Sequence, residues 1–161
     1  MIVTRSRTLA APPEAVWSVV GDPKRLARWW PRVERVKSVS ADGWTTVLRS
    51  SRGRPVRADW RLAEEERGVR RAWAQELDGT PFAKVLRERL VGARLDAADG
   101  GTKVTLEIRQ RGRGWSRFGG VLLRRAAGKE LDAALDGLER VLQPRPSRGH
   151  QPSPGSGDLS P

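Results

Sequence analysis

The chain has 161 residues, with seven Trp, no Cys and no Tyr. That length suits one domain with a real hydrophobic core, and the missing cysteines exclude a disulfide scaffold, a zinc knuckle and a thiol enzyme. Its 31 Lys and Arg against 19 Asp and Glu give +12, and no apolar run approaches the roughly 20 residues that cross a bilayer.

The opening Met1-Ile2-Val3-Thr4-Arg5 lacks the apolar region of a secretory signal, so the cytoplasm is the expected compartment. Residues 2–9 alternate and run into Ala10-Ala11-Pro12-Pro13, which predicts a first strand followed by a helix opened by proline. Residues 13–20 form that helix, bearing Val16, Trp17 and Val20. Asp22-Pro23 is a capping Asp before a Pro at the first helical position, and it starts a second short helix that Pro31 ends.

After Pro31 the period changes to two. Strands are predicted at 33–39, 44–50, 56–64, 69–77, 84–95 and 103–110, separated by Asp42-Gly43, Arg52-Gly53, Arg67-Gly68, Asp78-Gly79 and Asp99-Gly100-Gly101. Val56, Ala58, Trp60 and Leu62 alternate with Arg57, Asp59 and Arg61, the pattern of an antiparallel sheet with one solvated face. In strand 84–95 two registers stay open. One turns Leu86, Glu88 and Leu90 inward, and the other turns Val85, Val91, Ala93 and Leu95 inward and leaves Glu88 on the surface.

Ser116 can cap a last helix reaching about Leu142, with Leu123, Ala127, Leu131, Ala134, Leu138 and Val141 on one stripe. Gly119 and Gly120 in its first turn cost about 1 kcal/mol each in helix propensity, which points to a close approach or to a plain defect. The domain is predicted to span residues 1–142. Residues 143–161 hold Pro, Gly or Ser at twelve of nineteen positions and read as a disordered tail, which carries His150, the only histidine. The folded part keeps 29 basic residues against 18 acidic ones, or +11, so the charge belongs to it.

Of the basic residues 26 are Arg and five Lys, and they are dispersed rather than gathered in a stripe. No specific nucleic-acid site is expected; a polyanion-binding face would have to use Arg57, Arg61 and Arg109. Salt-sensitive sticking to polyanions follows from net charge alone.

Ala11-Pro12-Pro13-Glu14-Ala15-Val16-Trp17, Gly21-Asp22-Pro23, Trp29-Trp30-Pro31-Arg32-Val33 and Gly101-Thr102-Lys103-Val104-Thr105 resemble motifs of the START-like superfamily, also called Bet v 1-like or the polyketide cyclase and lipid transport group. The order of elements over residues 2–142 is similar too. The resemblance implies an α+β helix-grip fold: a seven-stranded antiparallel curved sheet wrapped around the long C-terminal helix, with two short helices after the first strand. It also implies a cavity between sheet and helix for a hydrophobic or amphipathic small molecule.

Trp44, Trp60 and Trp73 on candidate strands each read first as packing residues, but as a set they are the candidate pocket wall, with Leu106, Leu123 and Ala127. Trp30 occupies a variable position of the motif and faces solvent or the pocket mouth. Trp115 gates the same mouth or staples the last helix. Usual nucleophile and base sets are missing, and Gln75 and Glu88 are the weak catalytic candidates. The expectation is a carrier or binder of a small hydrophobic molecule such as a lipid, polyketide or isoprenoid, monomeric or weakly dimeric, without metal or cofactor. Cyclisation or dehydration of a poly-ketone in the same cavity is the alternative.

Overall fold

The computed structural model describes residues 1–114 and 117–143, without the side chains of Arg117 and Phe118. Trp115, the cap Ser116 and the predicted tail from residue 144 onward, His150 included, lie outside the described residues.

Alternation in the first segment turns Val3 and Leu9 inward and forms β1 (Ile2–Leu9). Pro13 opens α1 (Pro13–Val20), which buries Val16, Val19 and Val20. The Asp22 carboxylate then accepts from the Lys24 backbone N–H at 3.0 Å, and Pro23 starts a 3₁₀ turn over Pro23–Arg25. That turn passes directly into the single turn α2 (Leu26–Trp29). The second short helix is thus half 3₁₀ and half α.

Six further strands follow: β2 (Val33–Lys37), β3 (Gly43–Arg49), β4 (Pro55–Glu66), β5 (Arg70–Glu76), β6 (Leu86–Ala98) and β7 (Gly101–Gly112). They form one antiparallel sheet in the order β1-β7-β6-β5-β4-β3-β2. The predicted start of β6 at residue 84 moves to Leu86, because Pro81 sets up a 3₁₀ turn over Pro81–Lys84. Turn glycines 53, 68, 79 and 100 all have positive φ, as the hairpin reading required.

The last helix, α3 (Arg117–Leu142), packs on β1, β7, α1 and α2. Its buried stripe is Ala127, Leu131, Ala134, Leu135 and Leu138, against Leu106, Ile108 and Val104 from β7. Each such leucine, fully buried, contributes about 1.5–3 kcal/mol. Charges clamp the helix from one side: Arg7 reaches Asp136 at 2.6 Å and Glu139 at 3.0 Å, and Arg5 reaches Asp132 at 3.3 Å. The hydrogen bond to Asp136 holds the Arg7 guanidinium above its ordinary value.

Glycine decides how closely α2 can approach α3. A Cβ on Gly137 would lie 2.2 Å from the Trp29 carbonyl oxygen, so only glycine lets the end of α2 rest on the helix backbone. Gly120 meets open space instead and makes no close approach. Among the described residues no helix is long and apolar enough to cross a membrane.

Candidate functional site

Because α3 leans toward β1 and β7, the other half of the sheet's concave side is not filled by it. There a cavity of about 820 Å³ opens between α3 and strands β3 to β6, with the α2–β2 segment closing one side. The sheet contributes Thr46 and Leu48, Val56 and Trp60, Trp73 and Gln75, and Leu86 and Arg89. These are inward positions: Trp60 lies across from Gln75, and Thr46 from Ala58.

α3 meets the cavity with a second stripe, turned from its core stripe: Leu122, Arg125, Ala126, Lys129, Glu130 and Ala133. The two alanines end at Cβ, so the helix does not reach across the space between itself and the sheet. α2 and the residues after it add Leu26, Trp30, Pro31, Arg32 and Val33.

A chain of indoles holds this wall. Trp30 meets Trp29 edge-on with centroids 5.3 Å apart and Trp73 at 6.1 Å, and Trp73 meets Trp44 at 6.1 Å. Trp44 itself does not line the cavity. It is buried behind Trp73, with the Arg71 guanidinium 5.3 Å from its ring centroid. Arg71 donates to the Gly21 carbonyl and to Glu65, and burial lowers its pKa from the ordinary value against the pull of Glu65. The Trp60 indole N–H donates to Thr46 Oγ1 at 3.0 Å.

One ion pair is set into the wall. The Arg89 guanidinium lies 2.8 Å from both carboxylate oxygens of Glu130 and donates to Gln110 Oε1 at 3.1 Å. Glu130 also accepts the Trp30 indole N–H at 3.0 Å. Their side chains are 16% and 27% exposed, so the pair is screened far less than a surface one. Gln75 is 9% exposed, and its amide has no hydrogen-bond partner among the described residues.

Of the predicted site residues, Trp30, Trp60, Trp73 and Gln75 thus come together around the cavity. Leu106 and Ala127 do not: both are buried in the β7–α3 core, because the helix stripe that faces β7 is not the stripe that faces the cavity. Leu123 does not line this cavity and lies instead in a separate hollow with Met1 and Gln110. Glu88 is exposed and 3.9 Å from Arg111. A bulge between Leu86 and Glu88 lets Leu86, Arg89, Val91, Ala93 and Leu95 all face inward, while Val85 is exposed. Arg89 shares the parity of Val91, Ala93 and Leu95, so the second register already contained the signal for it. Glu130 had no comparable signal, being one acidic residue among several on a long helix.

At the lip, Arg32 adopts φ 63°, a left-handed conformation that costs a non-glycine residue of order 1 kcal/mol. Its carbonyl accepts from the Arg49 backbone N–H at 3.1 Å. Among the described residues no cluster of acidic or histidine side chains fits a metal ion.

Solved structures share this architecture. A START superfamily protein from Mycobacterium smegmatis matches with a TM-score of 0.72 at 12% identity, over 88% of this chain and 97% of that one. A protein from Chromobacterium violaceum matches with a TM-score of 0.70 at 18% identity, over 89% and 97%. The di-domain ARO/CYC BexL, from the BE-7585A biosynthetic pathway, matches at 0.72 and 15% identity, over 91% of this chain and 51% of that one. At these identities the likeness establishes the fold. No curated protein matches the sequence. The profile of the family described as polyketide cyclase / dehydrase and lipid transport matches residues 1–143, and the chain belongs to that family.

Proposed function

We propose that the protein binds or carries a small hydrophobic or amphipathic molecule in the cavity between the sheet and α3, as a cytoplasmic monomer or weak dimer. The observation that supports this most directly is an 820 Å³ space walled by Trp30, Trp60 and Trp73, with Leu26, Leu48 and Leu86 beside them. A core of this size would otherwise close around such a void, since unfilled apolar volume is costly. Gln75 adds an unused donor and acceptor for a carbonyl or hydroxyl on the guest.

The test is a panel of fatty acids, aromatic polyketides and isoprenoids, read by Trp fluorescence and melting temperature. Trp60 and Trp73 bordering the guest should make binding visible as a change in emission, and Trp60→Leu with Trp73→Leu should remove most of it. If no member shifts either signal, the reading fails.

A second reading, cyclisation or dehydration of a poly-ketone, draws on Arg89 and Glu130 as two ionisable groups converging on one cavity. Glu88 and its outward position drop out of it. Glu130→Gln should then abolish turnover of an acyclic poly-ketone while leaving its binding within a few fold; a wild type that binds without turnover removes this reading and leaves the first.

A further inference from the structure

The cavity lining is not electrically balanced. It carries Arg32, Arg49, Arg89, Arg125 and Lys129 against the single carboxylate of Glu130. Arg89 is satisfied by Glu130, and Arg49 is paired with Glu34 outside the lining. Arg32, Arg125 and Lys129 remain, and among the described residues none of the three has an ion pair or a side-chain hydrogen bond. Other described cations of this chain also lack an ion pair, Arg124 and Arg140 on α3 included; what distinguishes Arg32, Arg125 and Lys129 is that all three border one largely apolar cavity.

Their placement is not diffuse. Arg125 and Lys129 stand one turn apart on the α3 stripe that borders the cavity, with Ala126 and Ala133 leaving room beside them. Arg32 comes from the α2–β2 segment, and its backbone is held at φ 63° by a turn that glycine would fill more easily. All three are exposed, so they sit at the opening rather than in the depth, where the indoles, Leu48 and Leu86 are.

From this we infer that the guest is an amphipathic anion: an apolar body against the indoles, with a carboxylate or phosphate head held at the mouth by Arg32, Arg125 and Lys129. The inference rests on the cavity being a ligand site, and it adds the charge of the ligand and the end by which it sits. An apolar body explains the wall, but a neutral guest leaves three cations without a role beside an apolar opening. A free head group without the body would lack the area that an apolar wall rewards.

The experiment uses matched probes that differ only at the head: hexadecanoate, hexadecyl phosphate and hexadecanol, and a polycyclic pair, anthracene-2-carboxylate and anthracene-2-methanol. Wild-type protein is titrated with each while Trp emission is followed, at low salt and near 1 M salt. The anions should bind about tenfold more tightly than the alcohols at low salt, which corresponds to about 1.4 kcal/mol. The gap should shrink at 1 M salt, where screening acts within about 3 Å.

The triple substitution Arg32→Gly, Arg125→Gln, Lys129→Gln should equalise acid and alcohol while the alcohol affinity stays within about twofold. Arg32→Gly also relieves the left-handed backbone, so the unliganded melting temperature is not expected to fall. Replacing Arg67, Lys103 and Arg140 by Gln lowers the net charge equally at sites outside the cavity lining, and it should keep the preference. Equal binding of acid and alcohol by wild type, or equal loss in both triple variants, overturns the inference and leaves the binding reading in place. Inorganic phosphate competing as well as hexadecyl phosphate overturns it too, because the body would then contribute nothing. If no probe of either series binds, the binding reading itself falls, and this inference with it.

Discussion

The outer face of the sheet and the mouth of the cavity are both rich in arginine, yet the two use it in opposite ways. On the outer face Arg57 pairs with Asp59 at 3.0 Å, Arg61 with Glu76 at 2.9 Å, Arg94 with Asp96 at 3.0 Å and Arg109 with Glu107 at 3.2 Å. These partners lie two residues apart on one strand or across to the next, so the face neutralises itself locally. At the mouth, Arg32, Arg125 and Lys129 have no such carboxylate among the described residues. A net charge of +12 therefore says little about where charge is available. The three arginines that would have made a polyanion-binding face are the ones already engaged.

The contrast depends on α2 holding Trp30 and the Arg32 segment where they are, and Gly137 permits that. Replacing a helical glycine by alanine ordinarily gains about 1 kcal/mol. Here the added Cβ meets the Trp29 carbonyl oxygen at 2.2 Å, and neither backbone can yield easily. Gly137→Ala should cost about 2–3 kcal/mol in urea unfolding and weaken ligand binding together with stability. A gain in stability would show that α2 does not pack as described and would remove the shape of the mouth with it.

Next in size is the ion pair within the wall against an ion pair outside it. Glu130→Gln leaves Arg89 facing an apolar wall with its charge uncompensated, and partial exposure limits the loss to about 1–2 kcal/mol. Glu76→Gln, which releases Arg61 on the outer face, should change stability by less than about 0.5 kcal/mol. Similar losses in both would mean that the wall pair is as solvated as the surface one.

Much of the fold was legible because its signals are local and periodic. Val104, Leu106 and Ile108 alternate with charges and need no partner to announce a half-buried strand. Asp22-Pro23 announces a helix start through its own chemistry. The site was less legible, since it depends on offsets between elements. Which stripe of α3 faces the cavity follows from how the helix leans on β1, and no period within the helix encodes that. The core periodicity of α3 therefore points to Leu123 and Ala127, whereas the residues that border the cavity are Ala126, Lys129 and Glu130. Glu88 illustrates the same point on a strand, where one bulge after Leu86 exchanges inside for outside.

A smaller effect concerns Asp59 on the outer face. Its carboxylate accepts from the Thr45 hydroxyl at 2.5 Å and from Arg57, and the Thr45 hydrogen bond does most to hold its pKa below the ordinary value. A carboxyl depressed in the folded state stabilises the protein above its unfolded pKa and loses that contribution as pH falls through the folded one. Thr45→Val should thus cost about 1 kcal/mol near neutrality, discounted because Asp59 is 40% exposed. The difference from wild type should shrink as pH falls through the lowered folded-state pKa and disappear in acid strong enough to protonate Asp59 in both states. A cost that persists unchanged in acid would assign the effect of Thr45 to packing.

The smallest effect tests the outer face most directly. In a double-mutant cycle of Arg61→Gln and Glu76→Gln, the coupling should be about 0.3 kcal/mol at low salt and vanish in 1 M salt, as for other exposed pairs. The functional consequence is larger than the energy. With Glu76 neutralised, Arg61 becomes as available as Arg32 at the mouth, so Glu76→Gln should increase binding of a short DNA duplex at low salt while leaving hexadecanoate affinity unchanged. If Glu76→Gln leaves DNA binding unaltered, the pairing does not restrain the outer arginines, and the contrast with the mouth is one of location alone.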